Sequence, residues 1–154
     1  MSKRIAVYPG TFDPVTKGHE ALVLKALPLF DEIIIAIGHN SNKQTYFTLD
    51  QRKQWLEKIF EKYQQIKIDT YDTLTVNYCK EKEAKFILRG LRSSTDFEFE
   101  KNIAQANSSI SPEIETVFLV SSPLLSSVNS SIVRDIHRYG GDITQFIPNG
   151  IIIE

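Results

Sequence analysis

Arg89-Gly90-Leu91-Arg92 sets two arginines on either side of a glycine, directly after an apolar run. Two planar guanidinium groups placed this way can converge on one anion and match phosphate oxygens as forks. A solvated turn with two surface arginines has the same spelling, so the segment gains meaning only from its company. Thr16-Lys17-Gly18-His19 opens a helical pattern with Thr16 as a candidate N-cap. His19 then stands beside free amides and the positive end of the helix dipole, where a phosphate is favoured. Taken alone, this element reads more simply as a cap followed by a surface histidine. Val128-Asn129-Ser130-Ser131-Ile132-Val133-Arg134 begins another helix, and its hydroxyls and amides could hold a pyrophosphate. Lys43 closes a further loop, and Gly10, in Pro9-Gly10-Thr11-Phe12-Asp13-Pro14, permits close backbone approach.

Short apolar, β-branched runs position these segments. Strands are expected at residues 5–8, 32–38, 66–71, 86–88 and 116–120. The third alternates and is expected nearer an edge. Helical patterns fill the intervals at 18–30, 49–63, 74–83, 97–108 and 130–139. Thr48-Leu49-Asp50-Gln51 spells a capping box, and Gly140-Gly141 ends the last helix. The alternation implies an α/β fold: a single-domain, Rossmann-like doubly wound sheet of five parallel strands with helices on both faces. Ligands of such sheets sit beyond the carboxyl ends of the strands. The loops after helices are bland, whereas every unusual segment above follows a strand, so the site is expected on that rim. The last isoleucines, Ile151, Ile152 and Ile153, are expected either as an added edge strand or as a contact with a neighbouring subunit.

Composition narrows the function classes. The 154 residues carry a net charge of −1, with 42% hydrophobic and 24% charged residues. That is ordinary for a globular domain, and it lacks the basic excess of a nucleic-acid binder. The single cysteine, Cys79, excludes an intrachain disulfide and is expected semi-buried on a helix, not as a nucleophile. The apolar stretch after Met1-Ser2-Lys3-Arg4 is too short for a signal peptide, and no run approaches the ~20 residues of a membrane span. A cytoplasmic protein without nucleic-acid or membrane partners is expected.

Together, Tyr8 to Pro14 with Thr16 to His19, Arg89 to Arg92, Asp96-Phe97-Glu98-Phe99-Glu100 and Asn129 to Arg134 resemble, in order and spacing, the signatures of the phosphopantetheine adenylyltransferase family. The resemblance runs from about residue 4 to about residue 148. The T-x-G-H element marks only the wider nucleotidyltransferase superfamily; R-G-L-R followed by D-F-E-x-E is more specific. The resemblance implies that residues 1–154 form one nucleotidyltransferase domain acting on ATP and 4′-phosphopantetheine. It implies that Thr11, Phe12 and His19 meet the ATP phosphates, with His19, Lys43 and Arg92 catalytic. Thr11, Lys43, Thr75 and Arg89 would hold the acceptor, Lys43 and Arg89 through its phosphate and Thr75 through its backbone. ATP would further contact Gly90, Leu91, Arg92, Glu100, Leu125, Ser126, Ser127, Val128, Asn129, Ser130 and Ser131. Magnesium would accompany ATP without dedicated protein ligands, coenzyme A would be a feedback ligand, and the assembly would be a homohexamer. Departures are Phe99 where tyrosine is common, no aromatic in Ser122-Pro123-Leu124-Leu125, Asn129 for a serine, and an early end where many relatives carry a final helix.

The chemistry implied is direct. A phosphate monoester, with a second pKa of about 6, is mostly dianionic at neutral pH and can attack the α-phosphorus of ATP without a general base. Positioning and charge neutralisation by Lys43, Arg89, Arg92, His19 and Mg²⁺ are then the main requirements. Rival readings are a nucleotidyltransferase for nicotinate mononucleotide, one using glycerol phosphate with CTP, a non-catalytic nucleotide sensor, and a flavodoxin-like electron carrier.

Overall fold

The computed structural model describes residues 2–154. Strands β1 (Ile5–Gly10), β2 (Glu32–Gly38), β3 (Ile66–Tyr71), β4 (Phe86–Leu91) and β5 (Glu115–Val120) form one sheet. Its order is β3-β2-β1-β4-β5, and all four pairings are parallel. The chain builds outward from β1 to the β3 edge, then crosses back to lay β4 on the other side of β1. The carboxyl ends of β1 and β4 therefore flank the switch point, where an open parallel sheet leaves its crevice. As expected, β3 is an edge strand. β1 and β4 run further than expected: Pro9, Gly10 and Arg89 to Leu91 lie on strands, not in the loops after them. Pro9 and Gly10 still pair with Ala36 and Ile37 of β2.

Alternate side chains of the central strands feed two cores. Ala6, Tyr8, Ile33, Ile35 and Ile37 face one layer, with Leu22, Val23, Leu56 and Phe60. These come from α1 (Lys17–Ala26) and α2 (Leu49–Phe60). Val7, Ile34, Ala36 and Ile87 face the other, with Val76, Tyr78 and Cys79 of α3 (Thr75–Glu81). Cys79 is fully buried there, and burial pushes its thiol up to about 11, as suits an inert core residue. α4 (Ser94–Ile110) and α5 (Ser130–Arg138) complete the set. Residues 151–153 do not form the edge strand offered as one alternative. Instead Ile151 and Ile153 pack on Val133, Ile143 and Ile147, and Ile152 stays exposed.

A buried polar knot fixes the loop after β1. The Asp13 carboxylate, 4% exposed, accepts from the backbone N–H groups of Tyr46 and Phe47, both at 2.8 Å. Arg52, 3% exposed, donates Nη1 to the Thr11 carbonyl at 2.8 Å and Nε to the Phe47 and Thr48 carbonyls. Arg134 adds a bond from Nη1 to the Asp13 carbonyl at 2.8 Å. Phe12, at φ 50°, holds a backbone conformation that is uncommon for a bulky residue. The knot is what holds it there.

Replacing Asp13 with Ala strands two backbone N–H groups. The expected cost is about 2–4 kcal/mol, or a Tm lower by roughly 4–16 °C for a domain of this size. Calorimetry checks this, and a Tm within 2 °C of wild type would refute the role.

Candidate active site

Two cavities open at the switch point and share a wall. The first, about 300 Å³, lies over the ends of β1 and β4, between the starts of α1 and α5. Thr11, Phe12, His19, Gly90, Arg92, Leu125, Val128, Asn129 and Ser130 line it. The second, about 260 Å³, runs between β1, β3 and α4, past Gly38, Tyr71, Thr75, Ile87, Ile103 and Asn107. Pro9, Gly10, Thr11, Arg89 and Glu100 line both. Lys43 lies in neither. It lines a more open recess of about 570 Å³ with Thr11, Asp13, Tyr46, Arg134 and Arg138. Leu91, Ser126, Ser127 and Ser131 are not among the residues lining these three cavities.

Arg89 is the shared wall's charge. Its Nε and Nη2 donate to the two carboxylate oxygens of Glu100 at 3.0 and 2.6 Å, and Nη1 donates to the Pro9 carbonyl at 2.7 Å. Of the five N–H groups a guanidinium carries, these bonds use three, leaving two for a ligand, one on each terminal nitrogen. Burial works against the charged form, but the Glu100 bonds and charge outweigh it and raise the Arg89 pKa. Glu100 lines the first cavity, and both its carboxylate oxygens are taken by Arg89, so what it does there is fix that guanidinium. Arg92 bonds Asp96 through Nε at 3.2 Å and reaches the Val128 carbonyl at 3.4 Å, spanning the mouth of the first cavity.

His19 closes a capping box that its sequence neighbourhood does not advertise. Thr16 accepts the His19 N–H through Oγ1, and the His19 ring accepts the Thr16 N–H at Nδ1, 3.0 Å away. A nitrogen that accepts a backbone N–H carries no proton, so the ring is the Nε2–H tautomer. The edge of the Phe12 ring packs against it, with centroids 4.9 Å apart. Burial, then the charges of Arg89 and Arg92, lowers its pKa to about 4. His19 is thus a neutral hydrogen-bond donor at working pH.

The remaining expected residues divide clearly. The Asn129 side chain accepts from the Ile132 N–H at 2.9 Å and caps α5, so the departure from serine keeps the helix start intact. Ser130 Oγ donates to the Pro14 carbonyl at 2.8 Å, tying α5 to the first loop. Ser131 accepts from Arg134 Nη2 at 3.1 Å. Thr75 carries a side-chain role beside the expected backbone one: its hydroxyl pairs with that of Tyr71 at 2.9 Å on the second cavity's wall. Sequence reasoning missed Asp13, Arg52, Tyr71 and Arg134 as site builders. Asp13 and Arg134 lie inside the segments singled out above, though with no role assigned to them; Arg52 and Tyr71 carried no local signal. Among the described residues no three of His, Cys, Asp and Glu gather to hold a metal.

The His19 reading predicts an NMR titration. In ¹⁵N-histidine spectra, the signals absent from a His19→Gln variant should show an Nε2–H tautomer unchanged from pH 8 down to about 5. Because the unfolded ring binds its proton near 6.5 and the folded one near 4, its contribution to stability is complete above 6.5 and is lost as pH falls toward 4. Titration of that ring near pH 6.5 would refute the assignment.

Comparison with known proteins places the chain in a family. Residues 7–136 match the cytidylyltransferase-like family. The chain is 49% identical over 148 residues to a phosphopantetheine adenylyltransferase of Cytophaga hutchinsonii, covering 96% of this chain and 98% of that one. It is 46% identical to one of Flavobacterium johnsoniae, covering 98% and 99%, and 47% identical to one of Leptospira biflexa, covering 96% and 92%. Among solved structures, a bifunctional NMN adenylyltransferase/ADP ribose pyrophosphatase from Francisella tularensis superposes with a TM-score of 0.73 at 20% identity. That match covers 95% of this chain and 45% of the larger one, and carries the fold alone. Fold, rim and near-full-length similarity converge: the chain belongs to the phosphopantetheine adenylyltransferase family of cytidylyltransferase-like nucleotidyltransferases.

Proposed function

We infer that this chain transfers the adenylyl group of ATP to 4′-phosphopantetheine, giving dephospho-coenzyme A and pyrophosphate. The observation that carries the reading is the pair of cavities meeting at Thr11 and Arg89. The first, ringed by Arg92, Arg134 and the starts of α1 and α5, suits a nucleoside triphosphate. The second is narrower and lined by Ile87, Ile103, Ala104 and a few hydroxyl and amide groups, as a long, sparsely polar arm requires. An acceptor lying there brings its phosphate to the two free N–H groups of Arg89.

The reaction needs no base, and the site offers none that is free. Asp13 is bonded to backbone amides, Asp96 to Arg92 and Glu100 to Arg89, and His19 Nδ1 is occupied by Thr16. An oxygen of the acceptor phosphate attacks the α-phosphorus. The bond from that phosphorus to the bridging β-oxygen breaks, and pyrophosphate leaves with the electron pair. The Nε2–H of His19 donates to a phosphoryl oxygen as charge grows there. Lys43 reaches in from its recess beside Thr11 to offset the acceptor's charge. Mg²⁺, carried by the ATP phosphates, supplies further neutralisation.

Three further elements belong to this reading. A homohexamer would cover the exposed Phe99, Ile103 and Ile110 of α4. Coenzyme A, which joins a pantetheine arm to an adenylate, would fit across both cavities as a feedback ligand. A cytoplasmic setting suits the lone buried Cys79, and no helix of the described residues is long and apolar enough to cross a membrane.

The first test is pyrophosphate release with ATP, Mg²⁺ and 4′-phosphopantetheine, with nicotinate mononucleotide and glycerol phosphate with CTP as parallel reactions. Release with phosphopantetheine alone, with dephospho-coenzyme A formed, is expected; release only with another acceptor overturns the substrate. The His19 role is tested by His19→Gln, which keeps an acceptor for the Thr16 N–H. Its kcat should fall about 10²–10³-fold with the KM for ATP little changed, and near-normal turnover would refute the donor role.

A further inference from the structure

His137, in the last turn of α5, lies outside the residues expected to act, yet it bridges two segments remote in sequence. Its Nδ1 is 2.7 Å from the Tyr46 hydroxyl, and its Nε2 is 2.9 Å from the Glu154 carbonyl oxygen. A carbonyl can only accept, so Nε2 carries the proton. In the neutral ring Nδ1 is then bare, and the Tyr46 hydroxyl donates a hydrogen bond to it. The C-terminal segment thereby sets the tautomer, and the tautomer sets the direction of the Tyr46 bond. That segment is itself anchored through Ile151 and Ile153 on Val133 and Ile147.

Tyr46 is the near end of the loop that carries Lys43. It lines the Lys43 recess, its ring lies under the Arg138 guanidinium at 5.2 Å, and its backbone N–H is held by Asp13. The His137 ring meets Tyr46 edge-on at 5.5 Å and packs against Phe47 at the same distance. Toward Lys43, among the described residues, the loop makes only short-range bonds: the Lys43 N–H to the Asn40 carbonyl, Asn42 to the Asn40 side chain, and the Thr45 hydroxyl to the Phe47 carbonyl. We propose that His137 is a positioning residue which, steadied by the C-terminal segment, holds Tyr46 and so sets where the Lys43 ammonium stands beside Thr11. The kinetic part of this proposal rests on the acceptor assignment made above.

The test compares wild type, His137→Phe, Tyr46→Phe, the double variant and His137→Asn. Phenylalanine keeps the ring packing and loses both bonds; asparagine restores an acceptor for Tyr46. Each Phe variant should raise the acceptor KM about 3- to 10-fold, the worth of one hydrogen bond, with kcat and the KM for ATP within about twofold. The double variant should be no worse than His137→Phe, which already removes the Tyr46 bond, and His137→Asn should recover most of the loss. Hydrogen exchange at residues 40–46 should quicken in His137→Phe and not in His137→Asn, whatever acceptor the protein uses. An acceptor KM within twofold of wild type in His137→Phe, additive losses, or unchanged exchange in that loop would overturn the proposal. If no acceptor supports turnover, the exchange result alone decides it, and the failure belongs to the functional reading instead.

Discussion

The Arg89–Glu100 pair is the contact on which the site depends. It joins three elements: Arg89 leaves β4, Glu100 belongs to α4, and the third bond reaches the Pro9 carbonyl of β1. Both side chains are largely out of water, where an unpartnered charge is costly. Pairing removes that cost and fixes the guanidinium plane. A free arginine in a cleft would sample many rotamers, and a ligand would have to immobilise it on binding. Here the fold has already done so, and the two remaining N–H groups point from the junction of both cavities. The bidentate form matters more than the charge alone, because lysine in this place could not hold Glu100 and Pro9 and still offer a fixed pair of donors.

A site built to bring two polyanions together has to limit its own negative charge. Every carboxylate near the reacting phosphates is already bonded to a guanidinium or to backbone amides. The arginines therefore keep a positive local field although the chain as a whole carries −1. That field in turn explains His19. A ring beside Arg89 and Arg92, desolvated and bonded at Nδ1, has every reason to stay neutral. Its use lies in one directed N–H that needs no reorganisation when charge develops.

The sequence is legible where its signals are local. Unusual residues after each strand point to the rim, Thr48 with Gln51 spells its capping box, and the five strands follow from short β-branched runs. Partnerships across the sheet leave no such trace. Nothing local marks Arg52, yet it is buried with its guanidinium on the Thr11 carbonyl, 41 positions earlier. Asp13 reads as a turn residue, and its two amide partners lie 33 and 34 positions away. Proline and glycine at residues 9 and 10 spell the end of a strand. Pro9 and Gly10 stay paired with β2, and their neighbour β4 carries Gly90.

Those glycines explain why chemistry and fold share the same few residues. A Cβ on Gly10 would stand 2.9 Å from the Phe12 ring, and one on Gly90 would stand 3.1 Å from the Leu22 side chain. Adjacent central strands thus lack a side chain where Leu22 of α1 and the Phe12 ring pack against them. A methyl group on Gly10 would push on the Phe12 ring that packs against His19, whereas one on Gly90 would ask only the Leu22 side chain to give by a few tenths of an ångström. The Gly10 contact is therefore the one that bears on where the His19 ring stands. The R-G-L-R spelling thus answers to packing as well as to charge: the residue after Arg89 lies against Leu22 of the helix that carries His19, where space for a side chain is short.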